Sequence, residues 1–200
     1  MTITTPTRCR RQSVTVLFID IVGFTALIDD LDCEEVWELQ GDYFAAVSDV
    51  VRSCGGVVEK YVGDAVMAVF GLDGPDCASA AAAVRAGLLS QEALRGRLLA
   101  GRQQVRTRVG LATGDVIVDL NAARDGGHAM VSGNVVSTAA RLQAYAPHDT
   151  VVVCAETRRV TDELIAYQEL PPVSVAGKPY PLDLARALHP QGAILAGVLC

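Results

Sequence analysis

The sequence predicts an α+β domain in which helices pack on a mixed, mainly antiparallel sheet. Two observations lead to this class. Strand-like and helix-like segments alternate along the chain in the order strand, helix, two strands, helix and further strands, which favours helices layered on one sheet. Half of the 200 residues are apolar and a fifth are charged, a composition typical of a globular protein with a substantial core.

The first half of the chain predicts a buried strand, a long helix and a hairpin. Residues 13–20 form an apolar, β-branched run, as expected of a strand covered on both faces. Within residues 36–51 the apolar side chains recur every three or four positions, which predicts an amphipathic helix. Two strand-like runs at residues 57–61 and 65–70 flank Gly63, which indicates a tight hairpin.

The second half predicts two further main helices and several short strands. Residues 77–99 are rich in alanine and favour a helix by propensity. Residues 133–146 are helical in pattern and are followed by Pro147. Strands are predicted at residues 105–112, 116–120, 151–154 and 182–188, with a turn at 113–115 and a short helix at 157–165.

The expected domain covers residues 13–190, between a flexible N-terminal segment (1–12) and a C-terminal tail (191–200). The apolar run at 14–19 is too short for the core of a signal peptide. The apolar stretch at 193–199 is far below the length of a membrane span. The sequence therefore predicts a soluble, cytoplasmic protein without a membrane partner.

Charge and cysteine spacing exclude two further classes of site. The formal net charge of −6 argues against a general nucleic-acid binder, which usually carries a basic face. The six cysteines contain no C-x-x-C pair of the kind found in zinc and redox sites. Because a core of this size needs no disulfides, free thiols in a reducing cytosol are expected.

An aspartate ends the first strand, in residues 18–25 (FIDIVGFT). The carboxylate of Asp20 is costly at the end of a buried strand unless a cation meets it. Gly23 permits a close turn, after which the amides of Phe24 and Thr25 lead towards a helix N-terminus, a natural seat for phosphate. On this motif alone, a role for Asp20 as a simple turn cap is an equal alternative.

A second aspartate, Asp64, lies on the hairpin within residues 59–71 (EKYVGDAVMAVFG). An aspartate in a turn is often no more than turn chemistry. Two strand-end aspartates that converge would instead offer hard oxygen ligands for Mg²⁺ or Mn²⁺, which keep waters and bridge to substrate phosphates. Together, Asp20 and Asp64 predict a metal site for a nucleoside triphosphate.

These two segments and a third, residues 133–142 (GNVVSTAARL), resemble in order and spacing the signature blocks of class III adenylyl and guanylyl cyclases. The sub-type most resembled is the actinobacterial one, and the resemblance runs over residues 13–190. It implies a ferredoxin-like nucleotidyl cyclase core. It also implies a head-to-tail homodimer whose active sites are shared across the interface, with a heterodimer with another cyclase chain as a variant.

The resemblance implies roles for individual residues. Asp20 and Asp64, with the carbonyl of Ile21, match the ligands of two ions per site, Mg²⁺ or Mn²⁺. Lys60 matches the residue that reads adenine, and Arg141 matches the partner-subunit arginine that stabilises the transition state. The implied reaction is attack of the ribose 3′-oxygen of ATP on the α-phosphate, giving 3′,5′-cyclic AMP and pyrophosphate.

Three positions depart from the family pattern. Met130 stands where a second residue reads the base, and it cannot accept a hydrogen bond from the adenine amino group. Ser137 replaces the asparagine that accompanies the arginine, and Ala176 replaces a lysine that contacts the triphosphate, with Lys178 two residues further on. Loss of one preorganised donor typically costs on the order of 10²–10³ in rate. The expectation is an adenylyl cyclase of low activity; the alternative is a weakened cyclase-homology module that binds metal–nucleotide or pairs with another cyclase chain.

Overall fold

The computed structural model describes residues 9–74, 77–119, 131–174 and 181–191. Within them, eight strands form one sheet: β1 (Cys9–Ile21), β2 (Val57–Val62), β3 (Ala65–Phe70), β4 (Thr107–Asp119), β5 (Val131–Ser132), β6 (Thr150–Cys154), β7 (Ile165–Val173) and β8 (Leu182–Pro190). The helices of the same residues are α1 (Phe24–Ile28), α2 (Cys33–Ser53), α3 (Cys77–Leu94), α4 (Asn134–Tyr145) and α5 (Ala155–Thr161). No helix in these stretches combines the length and apolar character needed to cross a bilayer.

The strands lie in the order β2-β3-β1-β4-β6-β8-β7, and β5 pairs with β4. All neighbouring pairs are antiparallel except β4 and β6, which are parallel. β1 and β4 pair along their full length, from Cys9 opposite Asp119 to Ile21 opposite Thr107. The predicted α+β class with a mixed, mainly antiparallel sheet is therefore confirmed.

The central strand β1 separates two apolar cores. Leu17 and Ile19 pack on the face covered by α2 and α3, whereas Val16 and Phe18 pack on the face covered by α4. Because alternate residues of a strand point to opposite faces, a strand buried on both sides must be apolar throughout. The uninterrupted apolar run in the sequence is explained by this position, although β1 begins at Cys9, four residues before that run.

Helix α2 follows the predicted periodicity. It begins with a capping box, in which the amide of Glu35 donates to Oδ1 of Asp32 at 2.8 Å and the Glu35 side chain returns to the Asp32 amide. Leu39, Tyr43 and Val47 lie one turn apart and are fully buried against the sheet. The helix therefore packs through one apolar face, as the sequence indicates.

The predicted turn at residues 113–115 is wrong, because β4 continues through it as one strand. Gly114 lies opposite Val14 of β1, and the hydroxyl oxygens of Thr15 and Thr113 are 2.8 Å apart. Thirteen consecutive residues of β1 supply ladder partners for β4. These interstrand hydrogen bonds outweigh the local turn preference of a Thr-Gly-Asp sequence.

The C-terminal part of the sheet also differs from the prediction. The alanine-rich helix ends at Leu94, five residues early, and the helix expected at 157–165 is α5, which ends at Thr161. The strands β5 and β7 were not predicted. β7 contains Pro171 and Pro172 where its register with β8 shifts; proline is tolerated there because β7 is an edge strand.

Gly110, in the middle of β4, lets α4 lie directly on the sheet. A Cβ atom at this position would lie 2.1 Å from the backbone nitrogen of Gln143 and 2.5 Å from the carbonyl oxygen of Ala139. Both obstacles are backbone atoms of α4, so they cannot rotate away as a side chain would. The glycine therefore sets how closely the last turns of α4 approach β4.

We expect Gly110→Ala to destabilise the protein by about 3 kcal/mol or more, because the added methyl group must push α4 off the sheet. For a chain of this size that is a fall of roughly 6–12 °C in Tm, measurable by thermal unfolding followed by circular dichroism. Gly114→Ala in the same strand is the matched control, since its Cβ would meet Val135 at an ordinary 3.7 Å. Equal melting temperatures for the two variants would contradict this account of α4 packing.

Candidate functional site

The two aspartates singled out in the sequence meet at one end of the sheet. Asp20 is the penultimate residue of β1, and Asp64 lies in the turn between β2 and β3. Because Ile19 of β1 is opposite Val66 of β3, the hairpin turn reaches the end of β1. The amide of Ile21 donates to Oδ2 of Asp64 at 3.1 Å, and the carboxyl groups of Asp20 and Asp64 lie close enough for each to affect the other. The predicted convergence of the pair is therefore observed.

The proximity of these carboxyl groups changes the acidity of Asp20. Burial raises the pKa of Asp20, and the hydrogen bond and negative charge of Asp64 raise it further, to about 7. Arg108 and Gln143 act in the opposite direction. The pair therefore holds a proton near neutral pH unless a cation takes its place.

Two contacts of Asp20 were missed in the sequence. Gln143, in the last turns of α4, donates from Nε2 to Oδ2 of Asp20 at 2.9 Å. Arg108 of β4 places Nη2 3.7 Å from the same oxygen and donates from Nη1 to the carbonyl of Ala144 at 3.1 Å. The sequence offers little signal for this contact, because Arg108 is one of several charged or polar residues in β4. Only the register, which sets Arg108 directly opposite Asp20, shows its significance.

Tyr43 of α2 is fully buried near the carboxyl pair. Burial raises the pKa of Tyr43 well above its usual value, and the charges of Asp20 and Asp64 raise it further, so the phenol stays neutral. Its hydroxyl has no hydrogen-bond partner among the described residues. Tyr43 therefore supplies no counter-charge to the two aspartates.

The turn after β1 forms as predicted. Gly23 has φ 70° and ψ 25°, a left-handed conformation that favours glycine, and α1 begins at the next residue, Phe24. The carbonyl of Gly23 accepts a hydrogen bond from the amide of Leu27 at 3.0 Å. Thr25 is exposed, and Phe24 packs against the core. The role of Gly23, Phe24 and Thr25 in binding substrate stays a prediction.

Lys60 lies on β2, four residues before Asp64. Its Nζ is 3.3 Å from Oε2 of Glu59. The Glu59 side chain is fully buried, whereas 34% of the Lys60 side chain is exposed. The ammonium group is thus held at the border of the solvent on the hairpin that carries Asp64; its role in reading a base stays a prediction.

The structure does not bring Ser137 and Arg141 to the aspartates of their own chain. Both lie on α4 and are half-buried, and within the described ranges neither side chain forms a hydrogen bond or an ion pair. Gln143 of the same helix faces Asp20, and Arg141 is about 200° away from it around the helix axis. Met130, Ala176 and Lys178 lie outside the described residues.

The donor set suits a hard divalent cation with an incomplete protein shell. The described part of the chain contains no group of three or more histidine, cysteine, aspartate or glutamate side chains that could enclose a metal. It offers instead one adjacent carboxylate pair, whose shared charge a cation would neutralise. Mg²⁺ binds in this way, through one or two carboxylates with the remaining positions taken by water and substrate phosphates.

The raised pKa of Asp20 predicts how pH acts on the metal-free protein. Between about pH 4 and pH 7 the folded state keeps a proton that the unfolded state has lost, so stability falls as pH rises through this window. In EDTA, the Tm of Asp20→Asn should therefore be higher than that of the wild type at pH 8. At pH 4 the two Tm values should be nearly equal. Allowing for the solvent near this side chain, we expect about 1 kcal/mol, or roughly 2–4 °C.

Thermal unfolding across pH 4–8 measures this gap between the variant and the wild type. Asp73→Asn, on an exposed turn, controls for the loss of one negative charge. If the Tm difference between Asp20→Asn and the wild type is the same at pH 4 and pH 8, the pKa of Asp20 is not raised in the folded protein and this account is wrong.

Known proteins share this sequence pattern and fold. Residues 7–186 match the family model described as the adenylate and guanylate cyclase catalytic domain. An uncharacterised protein of Rhizobium meliloti is 35% identical over 160 residues, which cover 78% of this chain and 15% of the relative. Adenylate cyclase 1 of the same organism is 28% identical over 180 residues, which cover 87% of this chain and 27% of the relative. The chain thus spans about a quarter or less of the length of these relatives.

Solved structures agree with the sequence match. The adenylyl cyclase CyaB from P. aeruginosa has a TM-score of 0.80 and 26% identity, covering 90% of this chain and 95% of that one. The guanylyl cyclase Cya2 has a TM-score of 0.84 and 24% identity, covering 97% and 100%, and that likeness concerns the fold alone. With the family match extending over residues 7–186, the chain belongs to the adenylate and guanylate cyclase catalytic domain family.

Proposed function

We propose that this domain is an adenylyl cyclase that converts ATP to 3′,5′-cyclic AMP and pyrophosphate. The observation that carries the proposal is the meeting of Asp20 and Asp64 at the end of β1, joined through the amide of Ile21. Relatives named adenylate cyclase in Rhizobium meliloti and Anabaena cylindrica support ATP as the substrate. In the reaction the ribose 3′-oxygen bonds to the α-phosphorus, the bond from that phosphorus to the β-phosphate breaks, and the hydroxyl proton is released.

Asp20, Asp64 and the carbonyl of Ile21 would hold two ions per site, Mg²⁺ or Mn²⁺. Bound ions of this kind acidify the attacking hydroxyl and stabilise the charge on the leaving pyrophosphate. The protein contributes rigidity: the Ile21 amide fixes one carboxylate of the pair, and Gln143 fixes the other. Each aspartate is thus aligned before metal and substrate arrive, which lowers the cost of organising the site.

Arg108 is well placed to hold the triphosphate. Its side chain is one quarter exposed, lies beside Asp20 and is oriented by the Ala144 carbonyl. Guanidinium groups match the geometry of phosphate oxygens. The turn at Gly23, Phe24 and Thr25 would bind phosphate from the other side.

Base selection would depend on Lys60, since Met130 offers no acceptor for the adenine amino group. The partly exposed ammonium of Lys60 can donate to a ring nitrogen of adenine. With one reading group in place of two, we expect adenine to be preferred but not strictly selected.

A head-to-tail homodimer would complete the site with Arg141 and Ser137 of a second copy, or of another cyclase chain. The observation in favour is that Arg141 is turned away from Asp20, and that the side chains of Ser137 and Arg141 lack partners in the described part of their own chain. Exposed apolar side chains at Trp37, Tyr61 and Val62 lie on α2 and on the hairpin that carries Asp64. Aromatic side chains such as Trp37 and Tyr61 are enriched at protein–protein interfaces.

The replacements Ser137 and Ala176 favour low activity. A serine hydroxyl donates one hydrogen bond where an asparagine amide can donate two, and alanine donates none. We place the domain in a reducing, cytoplasmic setting, in which its cysteines would stay as thiols.

The purified domain should form cyclic AMP from ATP with Mn²⁺, and more slowly with Mg²⁺, as measured by chromatography of the products. Asp64→Ala removes one carboxylate of the metal pair and should reduce turnover at least about 10³-fold. Asp73→Asn, away from the site, serves as the control. Metal-dependent ATP binding without any cyclic product from ATP or GTP would instead support the weakened cyclase-homology module.

Mixing two inactive variants tests the shared site. Asp64→Ala damages the metal half and Arg141→Ala the half supplied to the partner, so a mixed dimer keeps one intact site. Random exchange of subunits should restore about a quarter of the wild-type activity. No recovery after exchange, with dimers present by light scattering, would show that each chain works through its own Arg141.

A further inference from the structure

We propose that Glu59 is a positioning residue that fixes the ammonium group of Lys60 and thereby sets how strictly the site selects its base. The inference rests on the proposed function, in which Lys60 contacts the base. Glu59 itself is too deeply buried to touch a nucleotide, since its side chain has no exposed surface. It would therefore act only through its neighbour.

The pair is asymmetric in burial. Oε2 of Glu59 lies 3.3 Å from Nζ of Lys60, but the carboxylate is fully buried and the lysine is one third exposed. A buried carboxylate is costly unless a cation or hydrogen bonds compensate it. Glu59 is thus anchored within the protein, and the lysine ammonium is drawn to a fixed point at the surface of the site.

The backbone of β2 creates this contact. Successive side chains of a regular strand point to opposite faces, so neighbours do not normally meet. Here the register with β3 shifts: Val58 lies opposite Ala68 and Lys60 opposite Met67, which leaves Glu59 as an extra residue in a β-bulge. A bulge re-aims the side chains beside it. The contact between Glu59 and Lys60 is therefore built into the strand.

Fixing the ammonium matters because a lysine side chain is long and flexible. An ammonium group has three donors, and contact with Glu59 leaves donors free for a base. Adenine N1 and guanine O6 both accept from a lysine, but they occupy different positions on the base edge. A mobile ammonium can reach either atom, whereas a fixed one favours the atom at its own position. Selection of the base thus depends on the position of the charge as well as on its presence.

Glu59→Gln tests this idea, because glutamine keeps the volume and removes the charge. We expect the KM and the dissociation constant for ATP to rise about tenfold, and kcat to change less than about twofold. The ratio of kcat/KM for ATP over GTP should fall about tenfold. In a Lys60→Ala background the same substitution should have no further effect on that ratio, because Glu59 acts through Lys60.

Asp73→Asn, on an exposed turn, is the control for the loss of one negative charge. It leaves the Glu59–Lys60 pair intact, so the ATP-to-GTP ratio should stay at the wild-type value. A Glu59→Gln enzyme with unchanged selectivity would overturn the inference. So would an effect of Glu59→Gln that persists without Lys60.

A second measurement needs neither metal nor nucleotide. Lys60→Met leaves a buried carboxylate without this cation and should lower Tm by roughly 5 °C, and adding Glu59→Gln should recover most of that loss. Melting temperatures that change additively would contradict the coupling of the two side chains. If the wild type forms no cyclic nucleotide, the proposed function fails. In that case the coupling of Glu59 and Lys60 is still tested by these Tm values and by the dissociation constants of the same variants for ATP and GTP, measured by equilibrium dialysis.

Discussion

The site depends on holding two mutually repelling carboxyl groups in contact. Asp20 ends a strand that is paired on both edges and buried on both faces, and Asp64 is tied to the same strand through the Ile21 amide. The backbone positions of both groups are therefore set by the sheet and its hairpin. Burial, and after it the contact with Asp64, raises the pKa of Asp20. A carboxyl pair that is costly to ionise favours a divalent cation, which would neutralise its charge.

The seating of α4 on the sheet links the pair to the rest of the proposed active site. Gly110 allows the helix backbone to approach β4 so closely that Gln143 reaches Asp20 and the Ala144 carbonyl reaches Arg108. The opposite side of the same helix carries Arg141. In the proposed dimer one helix therefore serves two sites, supporting the metal ligands of its own chain and completing the site of its partner. A shift of α4 would therefore change the geometry of both active sites.

The resemblance to the family implies that the two halves of the proposed site depart unequally from the family pattern. The carboxylate pair and the contacts that orient it are complete within one chain. The residues that would assist the transition state and read the base are reduced, with Ser137 and Met130 in place of stronger hydrogen-bonding groups. With fewer such groups, the selection of the base depends more strongly on the contacts that remain. The buried Glu59 beside Lys60 is one such contact, because a single reading group selects a base only if its position is fixed.

The sequence by itself determined the α+β class, β1, the face of α2 and the hairpin that carries Asp64, because each depends on burial patterns or turn residues within a short segment. The resemblance of the motifs also identified the aspartate pair. Only the tertiary structure showed that Arg108 and Gln143 contact Asp20, since strand register and helix packing join residues far apart in the chain. It also decided that β4 runs unbroken, because a long partner strand outweighs a local turn signal. The tertiary structure likewise decided the direction of Arg141, because the face of α4 that packs on the sheet fixes where its other side chains point.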